Sequence, residues 1–158
     1  DLLIEESGQA GMVGFGMSEQ DVSRAITHRL AMIGSDAAAI APYGLLGEGH
    51  PHPRGYGTFA RVLGHYVREE KMLSLEEAVA KMTSRPAEKL GLRDRGRLAP
   101  EMAADIVVFD ADAMSDRATY REPHQYAAGI RWVIVNGVVE LEGEEHKGRL
   151  AGRVLERG

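Results

Sequence analysis

Residues 30–39, LAMIGSDAAA, run apolar as far as Gly34 and Ser35 and then place a single carboxylate, Asp36, ahead of three alanines. Folds with parallel strands gather their reactive groups at the C-terminal ends of those strands, so an acid at this point is a candidate catalytic group. Ser35 and Asp36 are also residue types that cap helix N-termini. Position alone favours the cap, but a cap leaves the long loop that follows without a purpose.

The second cluster is HPHPR, residues 50–54. On a strand, His50 and His52 would share one face as a metal-binding pair does. Pro51 and Pro53 forbid a central strand, and zinc needs three or four ligands that no neighbouring His or Cys supplies. Packing or hydrogen bonding within a turn is the plainer role for these rings. Arg54 sits on a loop stiffened by Gly and Pro, where a guanidinium suits two-point capture of a carboxylate. A solvated surface arginine fits the residues equally well. The remaining histidines, 28, 65, 124 and 146, have no partners at ligand spacing and read as structural or exposed. The acid pairs Glu5/Glu6, Glu69/Glu70 and Glu144/Glu145 read as solvated charge. Gly14 and Gly16 lack the third glycine of a dinucleotide loop, and no G-x-S-x-G is present to support a serine hydrolase.

The elements that must carry these residues follow from periodicity. DLLIEESGQA reads as the last turns of an amphipathic helix, GMVGFGM (11–17) as a short buried strand, and 30–34 as another. Between them Ser18 is a cap for a helix through residue 30, with Val22, Ala25 and Ile26 on its inner face. Short strands apolar on both faces and separated by helices imply a parallel α/β layer or barrel. Residues 37–57 hold five glycines and three prolines and read as a long functional loop. Apolar positions 59, 62, 63, 66 and 67 predict a helix over 58–73. Ser74 and Glu77 form a capping box for the next helix, and Pro86 opens a third that ends at Gly91. Beyond it the chain turns rich in Val and Ile (96–112 and 130–158), with Asn136-Gly137 marking a hairpin.

A chain of 158 residues can build one sizeable core, with room for a small second unit. The net charge of −5, with no Lys/Arg cluster, argues against nucleic acid as a partner. There is no cysteine, hence no disulfide framework and no thiolate metal site. Without a signal peptide or a membrane-length apolar run, the expected location is cytoplasmic. The absence of an initiator Met leads us to expect a fragment of a longer protein.

Together MIGSD, PHPRGYGTFARVLGHYVREEKML, the tail GRLAPEMAADIVVFD and the closing WVIVNGVVELEGEEHKGRLAGRVL resemble the amidohydrolase superfamily. The GSD and PHPR…YGTF segments are more specific and resemble the N-acyl-D-amino-acid deacylases (D-aminoacylases). The Gly often found after Pro in the superfamily tail is Glu101 here.

The resemblance implies an α/β fold: the last strands and helices of a TIM-like metal-dependent hydrolase barrel in residues 1–92, then part of a small β-sandwich in 93–158. It implies hydrolysis of an N-acyl-D-amino acid to a carboxylate and a D-amino acid, with one or two zinc ions activating water. Asp36 would bind metal or serve as general base, then protonate the leaving amine. Arg54 would hold the substrate carboxylate, with Ser35, His52 and Tyr56 orienting the two. The other metal ligands would lie upstream of Asp1, so the chain alone is expected to be inactive and to pair with itself or with the absent half. Two rivals stand beside this reading: a dihydroorotase- or hydantoinase-like cyclic amidase, and a non-catalytic module.

Overall fold

Ser18 starts the first long helix by accepting the Asp21 amide on its hydroxyl (3.1 Å), as its extended backbone allows. A computed structural model describes residues 2–5, 7, 14 and 16–156 of the chain. Within them the helices are α1 (Leu2–Glu5), α2 (Glu19–Thr27), α3 (Arg54–Arg61), α4 (Leu75–Met82) and α5 (Ser84–Leu90). The expected strand over 11–17 lies largely outside the described residues.

Several boundaries differ from expectation: α2 ends at Thr27 and not residue 30, and α5 begins at Ser84, ahead of Pro86. Helix α3 begins at Arg54 rather than residue 58, because Pro53 already has helical dihedrals and its carbonyl accepts the amides of Tyr56 and Gly57. From Val62 the helix widens into a π-helical stretch, Val62–Glu69, where the Glu70 amide reaches back to the His65 carbonyl (2.9 Å). Residues 30–34, expected as a strand, begin in a turn at Leu30 and make no strand pairing, since no other strand among the described residues lies alongside. Their backbone is tied to α4, through the Ile33 amide and the Lys81 carbonyl (3.1 Å).

Ser74 caps α4 by accepting the Glu77 amide (3.2 Å). The Glu77 carboxylate does not return to complete a box; it takes both guanidinium nitrogens of Arg85 (2.9 and 2.8 Å). Gly91 ends α5 in the left-handed conformation.

The sheet is antiparallel in the order β1-β2-β3-β4, formed by Ile106–Phe109, Ile130–Val135, Val138–Glu142 and Glu145–His146. Asn136 and Gly137 both have positive φ (48° and 82°), as a two-residue hairpin between β2 and β3 requires. Buried Glu140 on β3 accepts the amides of Arg149 (3.0 Å) and Ala151 (2.6 Å), fastening the C-terminal segment to the sheet.

One apolar cluster unites these parts. Ile26, Ala60, Val62, Leu63, Tyr66, Ala78 and Met114 are buried together, with Ile33, Phe109, Ala127 and Ile130 packed against them. The turn carrying Met114 is drawn under the π-helical stretch by Arg68, which donates to the carbonyls of Ala111 (3.2 Å) and Met114 (2.5 Å).

Candidate active site

Asp36 has a φ of 50°, and no helix follows it before residue 45. A cap has extended dihedrals at the head of a helix, so Asp36 does not cap one. Its carboxylate lies 3.1 Å from Arg54 Nη1, and the side chain is 85% exposed against 45% for Arg54. Arg54 stands at the first position of α3 rather than on a loop. A helix start holds its Cα rigidly while leaving the long side chain free to reach outward. Two opposite charges thus meet at an open surface, one from the segment after α2 and one from α3.

His52 supports this pair from behind. The Arg54 amide donates to His52 Nδ1 (3.0 Å), and Nε2 lies 3.2 Å from the Tyr120 hydroxyl, with the two rings edge to face at 5.1 Å. Because Nδ1 accepts, a neutral His52 carries its proton on Nε2 and donates it to Tyr120. Burial holds the His52 pKa below its ordinary value, the nearby Arg54 adds to this, and Asp36 opposes it.

His50 turns to the same residue from the other side, its Nε2 donating to the Tyr120 carbonyl (2.7 Å). The two histidines therefore grip one tyrosine instead of forming a metal pair. The Tyr56 side chain is engaged elsewhere. Its hydroxyl donates to His124 Nδ1 (3.1 Å), while His124 Nε2 donates to the Gly49 carbonyl (3.1 Å). Tyr126 packs edge-on against Tyr56, and Tyr43 bonds His146. Burial, with Tyr43 and Tyr56 adding to it, pushes the Tyr126 hydroxyl up to about 12. Ser35 is half-buried beside Asp36 and takes part in none of these bonds.

The structure thus joins Asp36, Arg54 and His52, and turns Tyr56 into a separate clasp. Sequence reasoning missed Tyr120 and Tyr126 and read His124 only as structural or exposed, without the partners it holds here. The one available signal was the density of rings in YREPHQY (120–126), but their partners lie about 70 residues away.

Among the described residues, no three His, Cys, Asp or Glu side chains gather where they could hold a metal. Asp36 offers one oxygen ligand. A catalytic zinc needs about three protein ligands, so these residues alone do not make its site.

The sequence pattern of the Amidohydrolase family matches residues 11–139. The chain belongs to this family. It is 49% identical over 148 residues to the N-acyl-D-glutamate deacylase of Alcaligenes xylosoxydans xylosoxydans, covering 94% of this chain and 29% of that protein. A solved D-aminoacylase with a binuclear metal centre superposes with a TM-score of 0.80 at 47% identity, over 89% of this chain and 28% of that one. The N-acyl-D-glutamate deacylase of Bordetella bronchiseptica, solved with zinc and a phosphonate mimic of the tetrahedral intermediate, superposes at 0.70 with 47% identity. That match covers 78% of this chain and 24% of the deacylase. The chain thus spans less than a third of the length of each of these proteins. Its helices and small antiparallel sheet are the part that it shares with the solved structures.

Proposed function

We propose that the protein is an N-acyl-D-amino-acid deacylase in which Asp36 moves the protons and Arg54 orients the substrate. The observation that carries this reading is the meeting of an exposed carboxylate and an exposed guanidinium, 3.1 Å apart, on two separate elements. The amidohydrolase family and the deacylases similar to this chain supply the reaction class.

In the hydrolysis, the Asp36 carboxylate takes a proton from water as its oxygen bonds to the amide carbonyl carbon. It then returns that proton to the amide nitrogen as the C–N bond breaks, releasing a carboxylic acid and an amine, between which the second water proton passes to leave a carboxylate and an ammonium. Arg54 has five N–H donors, enough to keep its contact with Asp36 and bind an α-carboxylate besides. The distance between the fixed carboxylate and the scissile amide then selects acylated α-amino acids. His52, by anchoring the Arg54 amide, keeps that donor in place.

Zinc belongs to this proposal as the cofactor of the whole protein, with Asp36 as one ligand and the others outside the described residues. Residues 1–92 would form the last part of a TIM-like barrel and 93–158 part of a β-sandwich, in a cytoplasmic enzyme. The present chain alone would be inactive.

The test is turnover by the whole, zinc-loaded protein of N-acetyl-D-amino acids, their L-enantiomers and a hydantoin. Preference for the D-acyl substrate, with kcat lowered on the order of a thousandfold by Asp36→Asn, is expected. Arg54→Lys should raise KM at least tenfold, since an ammonium cannot replace the planar fork. Ring opening of the hydantoin at an equal or better rate would replace the deacylase with a cyclic amidase. An active Asp36→Asn protein would remove Asp36 from the chemistry.

A further inference from the structure

Lys81 is the one cation of the described chain whose side chain is wholly buried, with 0% exposure, and the hydrolysis above makes no use of it. Burying a lysine head costs free energy that only hydrogen-bond partners offset. Its Nζ donates to the His28 carbonyl (2.6 Å) and to the Ala31 carbonyl (3.1 Å), with Glu77 farther off at 3.9 Å. The first of these carbonyls belongs to the residue that ends α2, and it accepts the Ala31 amide (3.0 Å) as well as the ammonium. The same residue also acts through its backbone, for the Lys81 carbonyl accepts the Ile33 amide (3.1 Å).

Residues 28, 31 and 33 are thus all fastened to one residue of α4. The segment that they define belongs to no helix and no strand, and only Gly34 and Ser35 separate its last anchor from Asp36. A methionine would fill the same volume but remove the donor to the Ala31 carbonyl and leave the His28 carbonyl with the Ala31 amide alone. We propose that Lys81 is a positioning residue, which fixes the backbone of residues 28–33 on α4 and thereby sets where the Asp36 carboxylate stands. Arg54 rides on α3 and does not depend on these anchors. Loss of Lys81 therefore displaces the proton-transferring group and spares the carboxylate-binding one.

The anchoring is tested on this chain by amide hydrogen exchange, without reference to activity. In the wild type, the Ile33 amide is expected to be protected like the amides of α4; exchange at the rate of an unstructured amide overturns the proposal without any variant being made. In Lys81→Met, exchange at Ala31 and Ile33 is expected to rise at least tenfold while α3 stays protected. Unchanged protection overturns the proposal. The consequence for Asp36 rests on the deacylase reading and is tested in the whole protein. There Lys81→Met should lower kcat at least tenfold with KM within twofold, a split that general loss of folded protein does not produce for both parameters measured per folded molecule. A rise in KM with kcat unchanged overturns the positioning role. A wild-type protein without deacylase activity overturns the functional reading instead, and exchange at Ile33 then decides the anchoring by itself.

Discussion

Protonating His52 would place a hydrogen on the nitrogen that now accepts the Arg54 amide, turning a hydrogen bond into a clash of two donors. Burial and the Arg54 charge keep the folded pKa under the ordinary 6.5, so the unfolded chain takes up this proton first as pH falls. Stability linked to His52 is therefore complete above about pH 6.5 and declines below it as the folded value is approached. The expected outcome is a melting temperature that drops more steeply from pH 6.5 to 5 in the wild type than in His52→Gln. Equal slopes would show that the ring does not titrate against this contact. Tyr126 runs the other way. Its pKa, raised to about 12, ties its contribution to the protonated phenol, present below the ordinary value of 10 and lost as pH rises through the folded one. Burial raises Tyr56 and Tyr66 as well, so absorbance titration should show several late phenols, of which Tyr126→Phe removes the latest.

At the scale of the element, close backbone approaches seat the turn carrying Met114 between the sheet and the π-helical stretch, at Gly129 on one side and Gly64 on the other. Gly129, just before β2, has a φ of 87°, and a Cβ there would stand 2.7 Å from both the nitrogen and the Cα of Met114. Gly129→Ala should cost on the order of 3 kcal/mol, from left-handed strain together with backbone displacement, lowering the melting temperature by about 10 °C. Ser74→Ala, which removes only a cap, should cost about 1 kcal/mol. A calorimetric comparison in which the two variants melt alike would refute this ranking. Ser18, Ser74 and Asn136-Gly137 could be read from the sequence because each acts through neighbours a few residues away. The start of α3 could not, because the period of apolar residues marks only the buried stretch and passes over Arg54, whose side chain faces outward. The stretch 30–34 reads as a strand from its composition, which records burial but not the presence of a pairing partner. Asp36 and Arg54 stood out by residue type and setting; that they meet, and that Tyr120 and His124 close on the loop, depends on chain folding across long separations.

The whole molecule shows apolar surface along the segment that leads to Asp36: Leu30 is 66% exposed and Met32 41%, while Ile33, the next residue, packs on the core. We expect the 158-residue chain to associate with itself through such surface, and light scattering after size exclusion should give a mass above that of one chain. A stable monomer at high concentration would count against it. The core draws on both sides of residue 92, with Met114, Phe109 and Ile130 seated against the helices.

The placement of the aromatic residues makes that union measurable. Trp132, the only tryptophan, lies on β2, whereas all five tyrosines (43, 56, 66, 120 and 126) lie outside the strands. Emission excited at the red edge of the absorption band therefore reports on the sheet alone, and tyrosine absorbance reports on the clasp and the helical core. The chain thus carries two native optical probes for its two regions and needs no added label. Coincident denaturant midpoints would mark one cooperative unit, and separated midpoints two that melt in turn.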